Sequence, residues 1–151
     1  MKLLFVCLGN ICRSPMAEGV MKKMCAERGL DWEIDSAGLI RYHQGELPDD
    51  RMMTTAEKRG YKLTHRSRPV QESDFSKFDL IVGMDDYNIR SLRSMSPQNC
   101  LNKIRIISDF FVKIKGYSTV PDPYNQTMKA FDETITLLED ACEGIINEFS
   151  N

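Results

Sequence analysis

Val6-Cys-Leu-Gly-Asn-Ile-Cys-Arg-Ser-Pro15, read as VCLGNICRSP, joins an apolar run to a stretch of helical spacing. The run before it, Lys2-Leu-Leu-Phe-Val-Cys7, is short, apolar and stopped by Gly9, the pattern of a buried strand. Ser14-Pro15 reads as a cap followed by a first-turn proline. Beyond it, Met16, Ala17, Val20, Met21, Met24 and Cys25 recur at helical steps until Gly29 supplies a stop. The stretch is therefore a strand, a tight loop and a helix in immediate succession.

The same alternation continues outward. Trp32-Glu-Ile-Asp-Ser36 alternates as a second strand, closed by Ala37-Gly38, and residues 39–48 read as a loop. A helix is expected over about 49–59 with Gly60 as terminator, a third strand over 78–84, a helix over about 86–95 and a fourth strand over 104–107. A loop punctuated by proline and glycine covers 109–126. Met128, Phe131, Ile135, Leu138, Cys142, Ile145 and Phe149 then mark one face of a last amphipathic helix. Strands alternating with helices predict a single α/β domain over 1–151, built on a parallel sheet with right-handed crossovers.

Composition narrows the function. The chain has 151 residues, 42% of them hydrophobic, and a net charge of −2. Such a charge sets up no global field for nucleic acid or anionic lipid, so neither a nucleic acid nor a membrane is expected as partner. Met1-Lys2 leads into an apolar run that is soon interrupted, and no segment approaches the roughly 18 apolar residues of a membrane span. The five cysteines (7, 12, 25, 100 and 142) are an odd number, which suits free thiols in a reducing cytoplasm. Asn125-Gln-Thr127 matches a glycosylation sequon that such a compartment leaves unused.

The chemistry sits in the opening stretch. Ligands of a parallel α/β sheet bind beyond the carboxyl ends of its strands, where Cys7 lies. A loop of Leu8, Gly9, Asn10, Ile11, Cys12, Arg13 and Ser14 leading into a helix N-terminus offers backbone N–H groups to an anion. Gly9 and Asn10 are residue types that accept left-handed backbone angles, which a loop curling inward requires. Arg13 adds a planar fork able to grip two phosphate oxygens. Amides, helix terminus and arginine together favour a thiolate, which makes Cys7 a nucleophile aimed at phosphorus. Ser14 can donate its hydroxyl to that sulfur, and Asn10 can brace the loop. Taken alone, Cys7 could equally be a small buried hydrophobe; the C-x5-R-S spacing is what argues for catalysis.

Cleaving a phosphate ester also needs a proton for the leaving oxygen. Asp122, stiffened between Pro121 and Pro123 and followed by Tyr124, is the candidate acid, although a rigid surface turn explains the same residues. The two histidines, His43 and His65, lie in different segments, and no chelating cluster is legible, so no metal or other cofactor is expected.

Cys7-Leu-Gly-Asn-Ile-Cys-Arg-Ser-Pro15 resembles the signature of the low molecular weight protein tyrosine phosphatases. The resemblance extends over nearly the whole chain through Ser36-Ala-Gly38, His65, Met84-Asp85 and Asp122-Pro-Tyr124. It implies a flavodoxin-like, four-stranded parallel sheet with helices on both faces and the phosphate-binding loop between strand 1 and helix 1. It further implies hydrolysis of phosphotyrosine and small aryl phosphates through a phosphocysteine, with Asp122 as general acid and no metal. Ser36, His65 and Asp85 would join Asn10 and Ser14 in a network behind the loop, although capping and surface polarity are equally simple readings. Cys12 would form a reversible disulfide with an oxidised Cys7, or else simply fill space. The implied partners are phosphotyrosine proteins, an opposing tyrosine kinase, and inhibitory oxyanions such as phosphate or vanadate.

Leu8, Ile11, Tyr42 and Tyr124 are the expected pocket walls. Set against the family it resembles, Tyr42 stands where many members carry tryptophan or another variable residue, Asp50 stands where a proline is expected before Arg51, and Asn125 stands where some members carry a second tyrosine. Two rival functions remain. An arsenate reductase of the same fold would need further cysteines to relay a disulfide, and only Cys100 lies in that region. A non-catalytic phosphopeptide-binding module would have no use for Cys7 or Asp122.

Overall fold

Residues 1–150 are described by a computed structural model. Strands β1 (Lys2–Cys7), β2 (Glu33–Gly38), β3 (Leu80–Gly83) and β4 (Ile104–Ile106) form one parallel sheet in the order β2-β1-β3-β4. Alternate residues of β1 face opposite sides, as strand geometry requires. Leu3, Phe5 and Cys7 join one apolar core, and Leu4 and Val6 join the other. Helices α1 (Arg13–Arg28), α2 (Asp50–Lys58) and α5 (Met128–Phe149) cover the first face. The shorter α3 (Glu72–Lys77) and α4 (Asp86–Met95) cover the second.

The chain leaves β1 toward β2 on one side and reaches β3 on the other. The sheet order therefore reverses at β1, and the carboxyl end of β1 is the topological switch point where such sheets bind ligands. Cys7 is the last residue of that strand.

Several elements differ from their sequence reading. Helix α1 begins at Arg13, with Cys12 in the cap position and no side-chain cap, so Ser14-Pro15 is not a cap pair. Ser14 is already inside the helix, and its hydroxyl lies 3.0 Å from Cys7 Sγ. The six-residue α3, Glu-Ser-Asp-Phe-Ser-Lys, is too short to display a helical period, and a 3-10 segment over Gln98–Lys103 is equally short. Strand β2 runs on to Gly38, and the fourth strand stops at Ile106, where Ile107–Phe110 turns into a 3-10 segment. Helix α5 packs on that segment at Gly144, where a Cβ would collide with the carbonyl of Phe110.

Candidate active site

The loop after β1 is held open by its own carbonyls. Leu8 O accepts from the amides of Leu39 and Ile40, Gly9 O from the hydroxyl of Ser67 at 3.0 Å, and Ile11 O from the amide of Asp49 at 2.8 Å. A planar trans peptide points its N–H opposite to its carbonyl. With these carbonyls tied outward, the amides of Gly9, Asn10 and Cys12 face the hollow of the loop. That hollow is the floor of a cleft of about 180 Å³ lined by Cys7, Leu8, Gly9, Ile11, Cys12, Arg13, Ile40, His43, Asp122, Tyr124 and Asn125.

Asn10 is the keystone. It is the one non-glycine residue with positive φ among the described residues, at 56°, and it is 1% exposed. Its Nδ2 donates to Ser14 Oγ at 2.7 Å and to Ser36 Oγ at 3.0 Å. Its Oδ1 accepts from His65 Nε2 at 2.8 Å and from the amide of Arg68 at 3.0 Å. Because Ser14 Oγ accepts from Asn10, its own proton is free to point at Cys7 Sγ, 3.0 Å away. The amide of Ser14 donates to the same sulfur at 3.4 Å. Two donors therefore converge on Cys7, the arrangement that stabilises negative charge on sulfur.

Arg13 is 2% exposed and held from behind. Its Nη1 donates to Asp85 Oδ2 at 2.7 Å and to the carbonyl of Val120 at 3.0 Å. Asp85 can serve because it caps α4, its other oxygen accepting from the amide of Asn88. Burial works against the Arg13 charge, but the neighbouring Cys7 sulfur and the Asp85 hydrogen bond, with Asp122, outweigh it and raise its pKa above the ordinary arginine value. Asp122 stands at the mouth with its side chain 43% exposed. Its Oδ1 accepts from the amide of Tyr124 at 3.1 Å, and its Oδ2 lies 3.6 Å from Arg13 Nη2. A thiol, a cation and a carboxyl group thus meet in one cleft.

Residues 2–151 match the family described as low molecular weight phosphotyrosine protein phosphatase. A low molecular weight protein-tyrosine-phosphatase of Streptomyces coelicolor is 38% identical over 96% of this chain and 91% of its own. The crystal structure of a protein tyrosine phosphatase from Entamoeba histolytica superposes with a TM-score of 0.97 at 47% identity, covering 99% of this chain and 97% of that one. A Drosophila arginine phosphatase superposes with a TM-score of 0.92 at 34% identity, covering 100% and 99%. The chain belongs to the low molecular weight phosphotyrosine protein phosphatase family.

In this phosphatase the expected pocket wall needs one correction. Tyr42 is 81% exposed and outside the cleft, with its ring against the edge of His43 at 4.7 Å between centroids. The turn at 41–45 faces Tyr42 to solvent and sets Ile40 and His43 on the cleft in its place. Leu8, Ile11 and Tyr124 do line it.

The structure also gathers a cluster that the scattered histidines concealed: Glu18, Asp35 and His65 present ligand-type atoms within 4.8 Å of one another. Each is already engaged. Glu18 accepts from Ser36 Oγ at 2.6 Å and from Lys22 Nζ at 2.6 Å, and Asp35 accepts from Arg68. His65 Nδ1 lies 3.2 Å from Glu18 and 3.5 Å from Asp35, so the three act as the outer ring of the Asn10 network. Glu18, Asp35, Ser67 and Arg68 escaped the sequence reading. The one available signal was Glu18 standing among apolar residues on the buried stripe of α1.

Cys12 is buried at the cleft, and burial, followed by the charge of Asp49 and of Cys7, pushes its pKa well up. Cys100 belongs to the core on the opposite face of the sheet from Cys7.

Proposed function

We propose that the protein hydrolyses phosphotyrosine and small aryl phosphates in two displacements. Cys7 Sγ attacks phosphorus while Arg13 and the inward amides hold the equatorial oxygens, stabilising the charge that spreads over them in the transition state. The bond to the phenolic oxygen breaks, and Asp122 gives that oxygen its proton. The Asp122 carboxylate then takes a proton from water as the water attacks the phosphocysteine, which releases phosphate and returns the thiolate. Ser14 and its amide stabilise the thiolate as leaving group in this second step. Nucleophile, cation and acid are all supplied by side chains, so the scheme calls for no metal or other cofactor.

What carries the reading is the convergence of Cys7, Arg13 and Asp122 on a single cleft. The apolar walls Leu8, Ile11 and Ile40, with the rings of Tyr124 and His43, suit a phenyl ring in transit to the loop. Natural partners are then phosphotyrosine proteins and the kinases that make them, in a cytoplasmic setting. Phosphate and vanadate compete for the loop. An arsenate-reductase relay is disfavoured because Cys100 lies across the sheet from Cys7.

The test is a panel of phosphotyrosine, phosphoserine and phosphoarginine peptides with wild type, Cys7→Ser and Asp122→Ala. Wild type should prefer phosphotyrosine, Cys7→Ser should be inert yet bind vanadate, and Asp122→Ala should accumulate a phosphoryl adduct on Cys7 by mass spectrometry. Turnover by Cys7→Ser would overturn the mechanism. Preference for phosphoarginine, the activity named for the Drosophila relative, would overturn the substrate class.

A further inference from the structure

We propose that Arg51 is a positioning residue that registers the loop bearing Asp122 against the phosphate-binding loop, through a bracket running from Ile11 through Asp49 and Arg51 to Tyr124. The proposal rests on Asp122 being the proton donor.

The loop bearing Asp122 needs an external support. No regular element lies between Phe110 and Met128. Val120 is tied at one end, its amide to Met84 O at 2.9 Å and its carbonyl to Arg13. Asp122 then sits between two prolines, neither of which has an N–H to anchor it. The amide of Tyr124 bonds to Asp122 itself and that of Gln126 to Pro123 O, bonds that shape the turn without attaching it to another element. Besides the Arg13–Asp122 ion pair and the ring contact of Tyr124 with His43, the hydrogen bond that ties this turn to another element comes from Arg51, whose Nη2 donates to the carbonyl of Tyr124 at 2.8 Å.

Arg51 is itself fixed in place. Its Nε and Nη2 form a fork on Asp49, at 3.0 and 2.9 Å, and its guanidinium lies over the rings of Phe131 at 4.6 Å and Tyr124 at 5.4 Å. Asp49 caps α2 by accepting from the amide of Arg51 at 2.8 Å. The amide of Asp49 in turn donates to Ile11 O at 2.8 Å, inside the phosphate-binding loop. The first turn of α2 therefore grips the nucleophile's loop with one residue and the acid's loop two residues later. Neither Asp49 nor Arg51 lines the cleft, so their effect on the reaction passes through geometry. Lysine could supply the charge but not the fork and the stacked plane.

Loss of this bracket should impair proton donation and leave phosphoryl binding intact. Arg51→Met should lower kcat for phenyl phosphate by about 10- to 100-fold, the scale of an ångström-size misplacement of a reacting group. For p-nitrophenyl phosphate, whose leaving group scarcely needs a proton, the loss should stay below about threefold. Vanadate affinity should not move. Arg51→Lys, milder for folding, should show the same selectivity in smaller measure. In an Asp122→Asn background, Arg51→Met should add less than about twofold, since coupled residues are not additive. Equal losses on both esters, additive losses with Asp122→Asn, or weakened vanadate binding would each overturn the bracket. Asp122→Asn alone separates the two layers. If it slows both esters equally, the donor assignment fails and the bracket with it. If it is selective and Arg51→Met and Arg51→Lys are not, the bracket fails alone.

Discussion

Replacing Arg13 by lysine keeps a positive charge at the centre of the cleft and removes the geometry around it. In the native arrangement Nη1 is spent on Asp85 and on the carbonyl of Val120, which leaves Nη2 and Nε for phosphate oxygens. A lysine has one nitrogen for all of these tasks. If it stays with Asp85 and Val120, the transition state loses its side-chain donors. If it reaches for phosphate, the buried carbonyl of Val120 is left unsatisfied at about 1–3 kcal/mol and the part-buried Asp85 loses its cation. Losing one preorganised donor to a developing oxyanion typically costs about 10²–10³ in kcat, or roughly 2.7–4 kcal/mol, so Arg13→Lys should fall at or beyond that range. The assay is steady-state turnover of an aryl phosphate beside phosphate affinity and thermal unfolding. The expected result is a collapse of kcat with a smaller change in phosphate affinity, because loop amides and charge remain. A loss below about tenfold would refute the reasoning and show that charge alone suffices.

Three further outcomes follow from other parts of the molecule. Mild peroxide should convert Cys7 to a sulfenic acid that the Cys12 thiol condenses with, releasing water; thiol reductant should restore wild type, and mass spectrometry should find no such link and poor recovery in Cys12→Ser. Hydrogen bonding from the Arg51 side chain, against a smaller effect of burial, holds the Asp49 carboxyl below its ordinary value. A depressed carboxylate contributes stability above its unfolded pKa, near 3.9, and loses it as pH falls through the folded value, so Asp49→Asn should leave an acid-unfolding profile less steep below about pH 4 with the cap retained. Gly144→Ala should destabilise by about 1–3 kcal/mol or more, read by denaturant midpoint, while leaving kcat unchanged, because the added methyl has only the Phe110 backbone to displace.

What was legible in the chain followed from how narrowly each residue type is constrained. Cys7, Arg13, Gly9 and Asn10 have separate tasks in a short loop, and few other folds would ask for them together. The strands were readable because apolar runs such as Leu80–Gly83 are buried on both faces. The helix over Met128–Phe149 was readable because its stripe persists for several turns, although Met128 itself is exposed. Short polar segments such as Glu72–Lys77 carry no period and were missed. Tyr42 was misplaced because adjacent loop residues differ in orientation by the backbone turns between them, which composition does not encode. Arg51 and Arg68 look like ordinary surface cations until the fold brings Tyr124 to one and Asn10, Asp35 and Asp74 to the other.

Asn10 shows how narrowly the geometry of the loop restricts the choice of residue. Its backbone needs a residue that accepts positive φ, which selects glycine, asparagine or aspartate. Glycine would satisfy the backbone and leave Ser14, Ser36, His65 and the Arg68 amide without their partner. Aspartate would keep the two acceptor contacts, but it has no amide protons for the two serines, and it would put a negative charge into the loop that is proposed to hold an anion. Only asparagine both adopts the angle and donates to Ser14, and that donation is what frees the Ser14 proton for sulfur. The shape of the loop and the aim of the Ser14 hydroxyl at Cys7 therefore depend on one side chain. Held by these bonds, the loop offers oriented dipoles rather than mobile ones, which is the condition under which such dipoles contribute most to rate.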